Sequence, residues 1–129
     1  MLIATWNVNS IRTRLSQIIS WINEVNPDIL CLQETKVIDD SFPIEPFEKI
    51  GYSVEVYGQK SYNGVAIISK IKAENVKKGF FGCSESNQNI DIFLDQKRLI
   101  SADINGIKII NVYVPNGSSL GSDKFEYKI

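Results

Sequence analysis

The sequence predicts an α/β fold, and three features carry that prediction. Leu2 to Trp6 is a short apolar run of strand length. Ile11, Leu15, Ile18, Ile19, Ile22 and Val25 then recur at helical spacing and mark one buried helix face. Ile29 to Leu32 is continuously apolar, the pattern of a strand covered on both faces. Strand, helix and strand at these lengths read as a right-handed βαβ unit, in which the two strands are parallel.

The remaining elements follow in order. Ser10 is the predicted N-cap of the helix, because its hydroxyl can accept from an N–H of the first turn. Asn26-Pro27 closes the helix, since the residue before proline avoids helical backbone angles. Pro43 to Ile50 contains a short helix. Tyr52 to Tyr57 alternates as a half-buried strand does, and Val65 to Ile68 is a further short strand. Gly79 to Asn89 reads as loop, Asp91 to Leu94 as strand and Asp95-Gln96 as turn. Leu99 to Ile104 and Ile107 to Val114 flank Asn105-Gly106, a pair that tolerates the positive φ angles of a two-residue hairpin. Pro115 to Ser119 is a loop, and Asp123 to Ile129 has the look of a helix start.

Composition narrows the function. The chain has 129 residues, 43% of them hydrophobic, enough for the core of one domain and too little for two. Fourteen basic and 15 acidic side chains leave a net charge of −1, so a nucleic-acid partner would need a local basic patch. The sequence contains no histidine, which excludes Ser-His-Asp and Cys-His nucleophilic sites and histidine-bound zinc. Cys31, among Ile and Leu, reads as a small buried apolar residue, and Cys83 as a solvated loop thiol. Unpaired thiols and the lack of an apolar run of membrane length give the expectation of a soluble cytoplasmic protein.

What chemistry remains is concentrated at two strand ends. The first strand runs into the amide of Asn7, and the second into the carboxylate of Glu34. Parallel neighbours would bring both groups out at one sheet edge, where open α/β sheets place their ligands. A carboxylate beside an amide suits a hard metal ion carrying a phosphate. By residue type alone, Glu34 is as readily a solvated strand-end glutamate, and Asn7 a turn asparagine bonded to its own backbone.

Four segments decide between these readings: Thr5-Trp6-Asn7-Val8-Asn9-Ser10-Ile11-Arg12, Pro27-Asp28-Ile29-Leu30-Cys31-Leu32-Gln33-Glu34-Thr35-Lys36, Tyr62-Asn63-Gly64-Val65-Ala66, and Asn111-Val112-Tyr113-Val114-Pro115-Asn116-Gly117. In these, and in their order, the chain resembles the N-terminal half of the exonuclease III and apurinic/apyrimidinic endonuclease enzymes of the endonuclease/exonuclease/phosphatase superfamily. The resemblance covers essentially all 129 residues. It implies that Glu34 binds Mg²⁺ (or Mn²⁺) and that Asn7 orients groups around the metal. It implies that the Tyr113 hydroxyl lies near the scissile phosphate and that Asn116 contacts that phosphate. Arg12, Lys36, Tyr62 and Arg98 fall on positions that contact the DNA backbone in such enzymes. The family usually has glycine where Ser10 stands, which leaves the shape of that turn open.

The same resemblance implies half of a four-layer α/β sandwich, here one mixed sheet with an outer helix. The inner sheet face is then expected to be bare, and homodimerisation through it is expected. It implies a Mg²⁺-dependent phosphodiesterase acting on double-stranded DNA at abasic sites or 3′ ends. The family's Asp-x-Asn, a later Trp, a further Asp and a terminal Asp-His pair would lie beyond Ile129, so little nuclease activity is expected of these 129 residues alone. Two alternatives stay open: a phosphoesterase of the same superfamily acting on RNA, a phosphoinositide or sphingomyelin, and an interaction module without catalysis.

Overall fold

The computed structural model describes residues 1–60, 62–79 and 99–113. It opens with the expected βαβ unit. Strand β1 (Ile3–Asn7), helix α1 (Ile11–Val25) and strand β2 (Ile29–Gln33) follow one another, and β1 runs parallel to β2 with Asn7 opposite Gln33. The Ser10 hydroxyl accepts from the Thr13 N–H at the start of α1, and Asn26 closes the helix in the left-handed conformation. Ile11, Ile18 and Ile22 are buried, with Leu15 and Ile19 packed beside them. Val25, the last residue of the predicted stripe, stays exposed at the helix end. Every residue of β2 is buried, as its unbroken apolar run requires.

A 3₁₀ turn (Asp39–Ser41), helix α2 (Glu45–Lys49) and strands β3 (Ser53–Tyr57) and β4 (Val65–Ser69) come next. The strand order is β1-β2-β4-β3, and β4 is antiparallel to both neighbours, so the sheet is mixed. Helices α1 and α2 cover one face of it, where Ile11, Ile18, Ile22 and Phe47 bury against Leu30, Leu32, Ala66 and Ile68. Each fully buried Ile or Phe contributes about 1.5–3 kcal/mol. Trp6 of β1 meets Trp21 of α1 edge to face, with ring centroids 5.8 Å apart.

The other face is not bare. Strands β5 (Glu74–Lys78), β6 (Leu99–Ile104) and β7 (Ile107–Val112) form an antiparallel sheet in the order β5-β6-β7. Its Ile100, Ala102, Ile104 and Ile109 pack on Ile29, Cys31, Val65 and Ile67 of the mixed sheet. The expected mixed sheet and outer helix are present, but the chain supplies its own second sheet. The inner face expected to be bare is therefore covered over β2 and β4 by the inward residues of the β6–β7 hairpin, while Ile3 and Thr5 of β1 stay exposed. Asn105 and Gly106 make the predicted turn, both at positive φ (51° and 80°).

Strand β5 was not legible in the sequence. Glu-Asn-Val-Lys-Lys shows neither alternation nor an apolar run, and it forms an edge strand with irregular pairing between Glu74 and Lys77. The predicted strand at 91–94, most of the 79–89 loop with Cys83, the 115–119 loop and the helix start at 123–129 lie outside the described residues. Among the described residues no helix is long and apolar enough to cross a membrane.

Candidate active site

Three loops meet at the rim where β1 and β2 end, and backbone hydrogen bonds join them. The Val8 N–H donates to the Gln33 carbonyl at 3.0 Å, Ser10 to Glu34 at 2.7 Å and Ile11 to Thr35 at 3.0 Å. From the other side, the Thr35 N–H donates to Gly64 at 3.2 Å and Lys36 to Asn63 at 2.9 Å. Glu34 thus sits in a backbone whose neighbours are held from both flanks.

The conformations held there are unusual. Asn9, Ser10, Glu34, Lys36 and Asn63 all have positive φ (48°, 99°, 56°, 61° and 50°). Each such non-glycine residue costs of order 1–3 kcal/mol and persists only where its surroundings over-determine it. Eight described non-glycine residues have positive φ, and these five share one rim. Gly64, at φ 93°, has no room for a side chain, since a Cβ would lie 2.1 Å from Thr35 Oγ1. Ser10 does occupy a glycine-like backbone position, which settles the turn shape left open above.

The predicted residues distribute as follows. Asn7 is exposed at the end of β1, and its Oδ1 accepts from the Asn9 N–H at 3.2 Å. The turn reading of this asparagine therefore holds, at the rim that also carries Glu34. Glu34 is half-buried one residue past β2, and among the described residues no hydrogen bond or ion pair engages its carboxylate. Lys36 donates its ammonium hydrogen to Asn9 Oδ1. Arg12 is exposed in the first turn of α1, a turn without acidic residues, and Tyr62 is 67% exposed next to Asn63. A helix N-terminus with cationic side chains beside it favours an anion. Tyr113 follows β7 and packs half-buried against the cluster between the sheets. Arg98 and Asn116 lie outside the described residues.

Under the rim lies a polar network that the sequence reading passed over. Gln33 Nε2 donates to Thr5 Oγ1 at 2.8 Å and to Asn111 Oδ1 at 2.8 Å. Asn111 Nδ2 donates to the carbonyls of Leu32 at 2.9 Å and Ala66 at 2.8 Å. Gln33 and Asn111 are 9% and 3% exposed. The bonds between them and to the Leu32 and Ala66 carbonyls are buried, where leaving them unmade is costly, while the bond to the exposed Thr5 is part-buried. The available signal was Asn111 at an inward position of an alternating strand, where an amide must find partners.

The donors at the rim fit a hard divalent ion. Among the described residues no three His, Cys, Asp or Glu side chains gather to enclose a metal. The Glu34 carboxylate and the Asn7 amide, emerging at one rim, are oxygen donors of the type that a hard divalent ion takes together with waters and phosphate oxygens.

Comparison with known proteins identifies the family and the fold. Residues 4–102 match the Endonuclease/Exonuclease/phosphatase family. The chain is 37% identical over 119 residues to an exodeoxyribonuclease III of Haemophilus influenzae, covering 89% of this chain and 42% of that protein. Among solved structures, an AP endonuclease from Archaeoglobus fulgidus superposes with a TM-score of 0.85 at 48% identity, covering 99% of this chain and 47% of the other. A 3′-5′ exonuclease from Neisseria meningitidis superposes with a TM-score of 0.86 at 41% identity, again over 99% of this chain and 47% of the other. The chain thus spans about half the length of these relatives.

Proposed function

The chain belongs to the endonuclease/exonuclease/phosphatase family, and from that premise we propose that it forms the N-terminal half of a Mg²⁺-dependent DNA-repair phosphodiesterase. One observation carries the proposal: Asn7 and Glu34 leave parallel strands at a single rim, within three loops joined by backbone hydrogen bonds. The substrate is double-stranded DNA with abasic sites or 3′ ends. Relatives named exodeoxyribonuclease III and DNA-(apurinic or apyrimidinic site) endonuclease support that choice, as does a Neisseria relative solved with a product DNA hairpin. The cytoplasm is the expected location.

Glu34 would hold Mg²⁺, with Asn7 orienting the groups around it. Once bound, the ion supplies positive charge against the phosphate oxygens. Tyr113 would place its hydroxyl at the phosphate, and Asn116 would hold that phosphate. Arg12, Lys36, Tyr62 and Arg98 grip the DNA backbone, supplying the local positive charge that a net −1 conceals. An abasic nucleotide is readily drawn out of the duplex because it has no base to unstack.

Nothing in this set abstracts the proton of an attacking water. We therefore assign the 129 residues metal and DNA binding, but not turnover on their own. A missing general base alone costs about 10²- to 10⁴-fold in rate. The test is a competition between duplex carrying an abasic analogue, intact duplex, RNA and phosphoinositide vesicles for the purified chain with Mg²⁺. Preference for the abasic duplex without its cleavage is the expected result. Preference for RNA or vesicles would contradict the substrate, and robust cleavage would contradict the division of labour.

A further inference from the structure

We propose that the Gln33 side-chain amide, with Thr5 and Asn111, is a positioning device that sets Asn7, Glu34 and Tyr113 in register with one another. The inference rests on the metal-site reading above and adds to it residues that do not touch the metal or the DNA.

Strand β7 lies in a different sheet from β1 and β2, so no backbone ladder aligns Tyr113 with Glu34. Between the sheets lie mainly Ile, Val and Ala contacts, which are non-directional and tolerate small slips. The directional links are the amides. Thr5 stands two residues before Asn7, Gln33 one before Glu34, and Asn111 two before Tyr113. Gln33 Nε2 has two hydrogens, and its two shortest contacts, both 2.8 Å, cross to Thr5 Oγ1 and Asn111 Oδ1. The Cys31 carbonyl, at 3.3 Å, is the weaker third acceptor. Asn111 spends both of its own hydrogens on Leu32 and Ala66, a facing pair of β2 and β4. A single network, buried at Gln33 and Asn111 and reaching out to the exposed Thr5, therefore ties each site-bearing strand just upstream of its site residue. Groups bonded directly to a metal ligand change affinity about 10- to 100-fold; this network acts one step further out, through the strands, so the lower end of that range is expected.

The test is Mn²⁺ affinity of the 129-residue chain, read from the free-ion paramagnetic resonance signal, beside urea stability. Gln33→Ala and Asn111→Ala should each weaken Mn²⁺ binding about tenfold, and the double variant should be no weaker than either single one. Thr5→Val should weaken binding, and Thr5→Ser should restore it. Ile109→Ala, in the same intersheet cluster, should lose stability while keeping Mn²⁺ affinity. Wild-type affinity in folded Gln33 and Asn111 variants would overturn the proposal, as would a parallel loss in Ile109→Ala. If the amide variants do not fold, the Thr5 pair decides, and equal affinity of Val and Ser would overturn it. Glu34→Gln separates the two levels: unchanged affinity there overturns the metal reading itself, and this proposal with it.

Discussion

The Ser10 N–H donates to the Glu34 carbonyl at 2.7 Å, and both residues stand at positive φ. The bond joins the entry of α1 to the exit of β2. It makes the carboxylate's backbone depend on a turn that a serine adopts only under strain.

Ser10→Gly should therefore stabilise the chain. Relief of a φ of 99° recovers about 1–3 kcal/mol. Loss of the cap to glycine costs only a few tenths, and added unfolded-state entropy roughly 0.5–1 kcal/mol. A rise of about 1 kcal/mol in urea unfolding is expected. A fall would show that the Ser10 hydroxyl, bonded to Thr13, outweighs the backbone strain.

Gly64→Ala should cost much more than Gly106→Ala. Both glycines have positive φ, but a Cβ at 64 meets Thr35 Oγ1 at 2.1 Å while one at 106 meets nothing within 4 Å. About 2–4 kcal/mol is expected at 64, from left-handed strain plus overpacking, and about 1–2 kcal/mol at 106 from strain alone. Equal losses would mean that the loop carrying Asn63 yields easily and does not hold Glu34.

Acid should weaken the fold through Asp28. The Leu2 backbone N–H, donating to Oδ2 at 2.7 Å, and then Lys70 hold this carboxyl below its usual value of 3.8. A lowered folded pKa means that the contribution is complete above the unfolded pKa and is lost as pH falls through the folded one. Urea midpoints should fall below about pH 4, and Asp28→Asn should show a shallower fall. An unchanged acid limb in Asp28→Asn would contradict this.

Cys31 should resist alkylation in the folded chain. Burial pushes its thiol up to about 11, so little thiolate exists at pH 8. Mass spectrometry after iodoacetamide treatment should find Cys31 unmodified without urea and modified with it. Rapid native labelling would mean that the two sheets part readily.

The sequence made the βαβ unit legible because its periods change cleanly, from an apolar run to helical spacing and back. It made the rim legible for the same reason: once β1 and β2 are parallel neighbours, Asn7 and Glu34 must emerge together. The hairpin at Asn105-Gly106 was equally clear. Strand β5 was hidden because its one apolar residue, Val76, leaves no pattern, and pairing with β6 rather than burial makes it a strand. The covering of the inner sheet face was hidden too, because apolar alternation in β6 and β7 shows that a face is buried but not against which layer. The Gln33–Asn111 contact joins residues 78 apart in sequence and two different sheets, a pairing that no local pattern encodes.

The most direct test of the central claim is Mn²⁺ broadening of the backbone amide signals of the 129-residue chain. Loss of the signals of residues 7–10 and 34–36 is predicted, with those of Asn105 and Gly106 at the hairpin staying sharp, and Glu34→Gln should abolish the effect. Broadening centred on Asp103 or Asp28, or broadening that survives Glu34→Gln, would contradict the assignment of this rim as the metal and phosphate site.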